Sequence, residues 1–258
     1  MDKELLIFIY ILFGVVGLSV GSFLNVVVYR LPEGMSLAKP SSHCPKCNSP
    51  IKWYDNIPLL SYIILGGKCR NCKEKISFRY PVVELITGVL YVISALVFFK
   101  TSPIYAVAVA LFCSVLICVF IIDLEHTYIP DRFHIIIGVL GIVAVFFDGA
   151  YAWHSHVLGG AIGGLFFLAV YYGSILFLKK EGLGFGDVKL AFALGLFLGW
   201  QKFILTVLIA SLSACAFIIP LKNDGKKEFP FAPFLSVGAL IATLLGNIIL
   251  DFYVSAFF

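Results

Sequence analysis

Charge is scarce in this sequence. Asp, Glu, Lys and Arg make up 13% of its 258 residues, while 60% are apolar, and the mean hydropathy is +1.00. A soluble domain needs about 25% charged residues to cover its surface, so lipid must touch much of the exterior. Tandem repeats and low-complexity tracts are also missing, which leaves no basis for a repeat array or a disordered scaffold. No small-residue cleavage site with a mature domain follows the first apolar run. That run is also too long for a signal-peptide core and is expected to be a retained helix.

What is present comes in blocks. Apolar runs occupy roughly 5–29, 82–99, 104–122, 157–178, 203–221 and 231–250, with shorter ones at 133–147 and 190–200. About 20 apolar residues cross a hydrocarbon core of about 30 Å, and backbone in lipid must pair internally. The expected fold is therefore an all-α polytopic membrane protein of about eight transmembrane helices. If all eight segments span, one side holds Arg30, eight basic residues from Lys39 to Arg79, Arg132, Lys179, Lys180, Lys189, Lys222, Lys226 and Lys227. The other side holds Lys3, Lys100 and Lys202. Basic residues accumulate in cytoplasmic loops, so sixteen of nineteen being on one side predicts both termini outside. The net charge of +4 is thus a topology signal and not a nucleic-acid footprint. The weak point is 190–200, eleven residues long; if it does not span, Lys222, Lys226 and Lys227 move outside.

The stretch 31–80 is polar, basic and rich in Pro and Gly, and carries Cys44-Pro-Lys-Cys47 and Cys69-Arg-Asn-Cys72. Twenty-one residues separate the pairs, about one more than the usual zinc-ribbon window. Two thiolates from each tight turn can meet at one tetrahedral Zn²⁺, and metal binding would supply folding free energy that so short a loop lacks. The alternatives are disulfides or free thiols; a reducing cytosol disfavours disulfides. The apolar run 57–65 is too short to span and is expected to pack the module or rest on the membrane. Cys113, Cys118 and Cys215 read as small buried apolar residues within spanning segments.

Most acids, Asp2, Glu4, Asp148, Asp224, Glu228 and Asp251, flank helices or lie in loops and read as solvated. Asp123 and Asp187 differ. Asp123 directly follows an unbroken apolar helix, and Asp187 ends Gly184-Phe185-Gly186-Asp187 before another apolar run. On the eight-helix topology both fall on the cytoplasmic side at matching depth, and an ionisable side chain beside hydrocarbon is a functional candidate. Gly184 and Gly186 let backbone approach a ligand closely, and Pro130 is expected to end the helix beyond Asp123. Two carboxylates held close share a proton. Such a pair suits amide hydrolysis, one member taking a proton from water and the other polarising the carbonyl. Glu125 and His126 can join this site, and Asp131 can replace Asp123, although its place after a proline suggests an N-cap for 133–147. Intramembrane carboxylates also serve transporters and proton relays, and a non-enzymatic scaffold with capping aspartates is a further reading. The two carboxylates lie at one face and not at the midplane, which disfavours a transporter.

The ordered motifs resemble the bacterial type IV prepilin leader peptidase/N-methyltransferase family of membrane aspartic proteases. They comprise Gly21-Ser22-Phe23-Leu24-Asn25, Tyr29-Arg30-Leu31-Pro32, both C-x-x-C pairs and Asp55-Asn56-Ile57-Pro58-Leu59-Leu60-Ser61-Tyr62. They continue with Arg79-Tyr80-Pro81-Val82-Val83-Glu84-Leu85, Asp123-Leu124-Glu125-His126, Ile129-Pro130-Asp131 and Gly184-Phe185-Gly186-Asp187-Val188-Lys189. The resemblance covers nearly the whole chain. It implies a catalytic dyad of Asp123 and Asp187, and selects Asp123 over Asp131. Its substrates would be prepilins and pseudopilins, cleaved after a glycine on the cytoplasmic side of the bacterial inner membrane. The new N-terminus would then be methylated with S-adenosylmethionine. Residues 1–100 would hold the first two helices, the cysteine loop and the methyltransferase part, and 101–258 a six-helix peptidase domain. The cysteine loop belongs to the branch with both activities. No glycine-rich nucleotide loop predicts the methyl donor independently; Asn25, Gly67, Lys68 and Glu84 are the candidates for its contacts. The resemblance leaves the oligomeric state open.

Overall fold

The structure is a computed structural model that describes residues 2–179, 182–218 and 230–257. Among these are eight α-helices and no strand: α1 Lys3–Arg30, α2 Leu60–Ile64, α3 Arg79–Phe98, α4 Pro103–His126, α5 Asp131–Phe147, α6 Trp153–Leu178, α7 Phe185–Ile218 and α8 Ala232–Phe257. Lys180, Asp224, Glu228 and the basic residues Lys222, Lys226 and Lys227 lie outside the described residues. Six helices, α1, α3, α4, α6, α7 and α8, are long and apolar enough to cross a bilayer. The chain divides into two compact units, Met1–Leu96 and Val97–Phe258.

In the first unit α1 and α3 lie backbone to backbone. A β-carbon on Gly21 would fall 2.7 Å from the Glu84 Cα, and one on Gly17 would fall 2.9 Å from the Gly88 Cα. Small residues at a crossing let two apolar helices gain van der Waals contact where lipid offers no hydrophobic drive. The loop between them carries a 3-10 turn at Trp53–Asn56, then α2. Ile63 and Ile64, on α2, and Trp53 are exposed, while Tyr62 of the same run lies against Gly67 at the edge of the cysteine module.

In the second unit α4 starts at a Ser102 cap, whose hydroxyl accepts from the Tyr105 N–H at 3.2 Å, with Pro103 in the first turn. It ends at His126, with Thr127 left-handed at φ 55 and its N–H on the Asp123 carbonyl at 2.9 Å. The helix therefore stops before Pro130, which instead precedes α5. Asp131 opens α5 with no side-chain cap bond, so the expected N-cap role is not taken.

Helix α7 is two rods. Gly199 has φ 77 and ψ 163, a region essentially reserved for glycine, and there the chain turns back. Residues 185–198 run along α6: β-carbons on Gly159 and Gly195 would collide with each other's carbonyl groups, and Gly163 abuts the Ala191 carbonyl. Residues 200–218 run along α8: Lys202 lies against Gly246, Thr206 against Gly238, and the Phe217 and Phe234 rings are 6.0 Å apart. The start of the first limb and the end of the second thus share one end of the unit. The runs 190–200 and 203–218 lie on separate limbs of α7. The buried centre is aromatic: Phe112 stacks on Phe197 at 3.9 Å, with Tyr105 6.0 Å from the same ring.

At the Gly199 end the sequence reading needs one correction. Asp148 is buried, its Oδ2 3.4 Å from the His156 Nε2, and is not solvated. Lys202 is 1% exposed, its Nζ 5.0 Å from the centre of the Tyr151 ring. The reversal at Gly199 sets Lys202 against the ring of Tyr151, whose hydroxyl donates to Asn247 at 3.2 Å.

Candidate active site

At the opposite end of the second unit, Asp123 occupies the last turn of α4 and Asp187 the first turn of α7. Both are buried, at 6% and 9% exposure, and the charge of Asp123 acts on Asp187. The Ala232 backbone N–H, in the first turn of α8, bears on the Asp123 carboxylate. Gly184 sits against the other acid: a β-carbon there would lie 3.4 Å from the Asp187 Oδ2. On Gly186 a β-carbon would meet Ile129 at an ordinary 3.7 Å.

The neighbouring candidates separate by surroundings. The Asp131 carboxylate is exposed and accepts from the Lys189 Nζ at 2.7 Å, with the His134 Nδ1 3.5 Å away. His126 is exposed and lies edge-on to Tyr128, and Glu125 is exposed as well. The buried His134 and the reach of Lys189 to Asp131 went unread in the sequence. The GxGD run does place Lys189 two positions after Asp187, but nothing local shows that it reaches Asp131.

The cysteine loop folds as two matching knuckles. In the first, the Cys44 N–H donates to the Ser49 carbonyl at 3.0 Å and Asn48 is left-handed at φ 55. In the second, the Cys69 N–H donates to the Glu74 carbonyl at 2.8 Å and Lys73 is left-handed at φ 60. Bridges His43 to Pro50 and Lys68 to Lys75 close the turns. All four sulfurs lie within 4.8 Å of one another, with Cys44 and Cys72 3.9 Å apart. Sulfurs around one tetrahedral zinc, each at ~2.3 Å, stand about 3.8 Å apart, so the donor set fits such an ion. The Ser49 hydroxyl, then its backbone N–H, pulls the Cys47 thiol down to about 6. Backbone N–H groups of Cys72 and Asn71 lower Cys69. At Cys72 the Glu74 N–H favours thiolate, but burial and the neighbouring sulfurs outweigh it and push the group to about 11. A cation among the four would relieve that crowding of negative charge. Asp55 anchors the second knuckle, its carboxylate accepting from Arg70 at 2.6 and 2.8 Å. Of the other cysteines, Cys113 and Cys118 are buried as expected, while Cys215 is exposed on its helix.

The four methyl-donor candidates have partners within the chain. Asn25 donates to the Gly21 and Tyr80 carbonyls, both at 3.2 Å. Glu84 accepts from the Leu59 N–H at 2.8 Å. Gly67 and Lys68 form the turn into the second knuckle, where the Gly67 carbonyl accepts from the Ile76 N–H at 2.7 Å.

Fold and site together define a multi-pass, all-α membrane protein with two buried acids at one end of a helical unit and a tetrathiol loop ahead of it. The profile of the type IV leader peptidase family matches residues 110–219, and that of the bacterial peptidase A24 N-terminal domain matches residues 15–98. The prepilin leader peptidase/N-methyltransferase of Aeromonas salmonicida strain A449 is 36% identical over 268 residues, spanning 92% of this chain and 91% of its own. The enzyme of the same description from Pseudomonas aeruginosa PAO1 is 38% identical over 259 residues, 90% and 88% of the two chains. The type 4 prepilin-like proteins leader peptide-processing enzyme of Escherichia coli O78:H11 is 37% identical over 247 residues, 88% and 90%. No solved structure matches. The chain belongs to the type IV leader peptidase family.

Proposed function

We propose that this membrane enzyme removes the leader peptide from type IV prepilins and pseudopilins, with Asp123 and Asp187 activating water at the cytoplasmic membrane face, and then methylates the new N-terminus. The observation that carries the reading is the burial of both acids at one end of the second unit, where the charge of one acts on the other, in a chain of this family. Two carboxylates held near enough to interact keep one proton between them. The ionised member takes a proton from water as its oxygen attacks the scissile carbonyl carbon, and the protonated member gives its proton to the carbonyl oxygen. The tetrahedral adduct then collapses, a proton passes to the leaving amine, and the pair again holds one proton. No side chain becomes covalently attached.

Zinc held by Cys44, Cys47, Cys69 and Cys72 shapes the loop, and the reaction at the acids does not pass through it. S-adenosylmethionine, when bound, supplies an electrophilic methyl group to the freed α-amine, which loses a proton. The excess of basic loops on one side supports an active site facing the cytoplasm of a bacterial inner membrane. Asp123→Asn and Asp187→Asn should each abolish cleavage of a synthetic prepilin by purified, correctly inserted protein. Substantial cleavage by either variant alone rejects the dyad.

A further inference from the structure

The first unit contains a groove of about 330 Å³ that none of the candidate residues explains. One wall is a single face of α1, with Ser22, Phe23 and Arg30; the other is the loop leading into the first knuckle, with Ser41 and Ser42, joined by Asn56 at the end of the 3-10 turn. Asn25 points elsewhere, toward the α3 backbone. Arg30 is 6% exposed. Its Nη1 donates to the Ser36 and Leu37 carbonyls at 3.1 and 3.5 Å, clamping the loop against the helix end. No acidic side chain among the described residues pairs with it.

A guanidinium removed from water without an acid is costly, and the helix C-terminus offsets only part of that cost. Its planar fork has donors to spare for a carboxylate. Around it stand serine hydroxyls, an amide and an aromatic face, the last of which attracts a cation. A volume near 330 Å³ lies at the lower end of the range for small-molecule sites. A zwitterionic amino-acid end carrying a sulfonium matches each of these features.

We propose that this groove binds the amino-acid end of S-adenosylmethionine, with its carboxylate on Arg30 and its sulfonium beside Phe23. The inference rests on the N-methylation reading. The same chemistry would also take an anionic lipid headgroup, because α1 is a candidate membrane span.

The test is calorimetric binding of S-adenosylhomocysteine, the unreactive demethylated product, to the full chain in phosphatidylcholine nanodiscs. Wild type should bind at one site, and Arg30→Gln should weaken binding about tenfold or more. Ser42→Asp keeps Arg30 and its loop clamp but sets a competing carboxylate in the groove, and should weaken binding to a similar degree. Zinc content and thermal midpoint report whether each variant has folded; if Arg30→Gln has not, Ser42→Asp decides alone. Wild-type affinity in the folded variants overturns the groove and leaves N-methylation standing. No binding by wild type overturns both. Displacement of the product from wild type by phosphatidylglycerol, with loss of lipid binding in Arg30→Gln, overturns the proposal in favour of a headgroup site.

Discussion

Asp123 and Asp131 lie in the same stretch of chain, yet one is buried at 6% exposure and the other is open to water with Lys189 on it. An exposed ion pair is worth about 0–1 kcal/mol, so Asp131→Asn should change prepilin cleavage less than about fivefold. Loss of a general acid or base costs about 10²–10⁴-fold, and Asp123→Asn should show at least that; single-turnover cleavage measures both. The sequence held both acids and leaned toward Asp123, but Lys189 stands 58 residues from Asp131, and such a pairing has no local signature. Asp148 misled for the same reason, since its partner His156 lies across a loop. The cysteines were easier to read, because two C-x-x-C turns carry their own geometry. Around them, Arg70 holds the Asp55 carboxyl below its ordinary value of 3.8. That depression means the clamp contributes fully above about pH 3.8 and fades only as pH falls below it. Asp55→Asn should therefore speed zinc release to a chelator by a factor that stays flat between pH 5 and 8. A factor that varies across that range would assign control to another group.

Helix α7 shows how an element can be legible in composition and illegible in path. The two apolar runs were visible, and so was the glycine between them. What the sequence could not show is that the first limb seats its glycine against another on α6, because a backbone contact leaves no pattern in either segment alone. Gly159 and Gly195 meet with no room for a β-carbon on either. Gly195→Val must push α6 and the first limb apart, and overpacking of this kind costs about 1–3 kcal/mol. Because Asp187 rides on the same limb, the variant should lose cleavage activity together with thermal stability in detergent. A variant with an unchanged unfolding midpoint would show that the helices are not seated as described. The glycines before Asp187 are a different case. A β-carbon on Gly184 would lie 3.4 Å from the Asp187 carboxylate and one on Gly186 3.7 Å from Ile129, so within the chain neither position demands glycine by crowding.

Across the whole molecule, the reversal at Gly199 decides on which side of the membrane each loop of the second unit lies. The start of α7 and the end of its second limb share one end of that unit, with Asp123 and the start of α8, while Asp148, Tyr151 and Lys202 mark the other. Positive charge follows the same division, since Lys179 and Lys189 belong to the first end. The positive-inside rule predicts that the acids face the cytoplasm and that the loop at Gly149 faces out. Cysteine substituted at Gly149 should be labelled by an impermeant maleimide in intact spheroplasts, and cysteine at Gly182 only after the membrane is opened. Cys215, exposed on its helix, is replaced by serine beforehand. A single-pass α7 would still leave the loops at Gly149 and Gly182 on opposite sides, because α6 alone separates them. The pair therefore tests orientation, and a third site is needed for the hairpin. Cysteine at Phe257, the far end of α8, supplies it: with α7 reversed that end lies outside with Gly149, and without the reversal it lies inside with Gly182. Labelling of 257 in intact spheroplasts fits the fold; protection of 257 alongside labelling of 149 would contradict the turn at Gly199, whatever the chemistry of the acids.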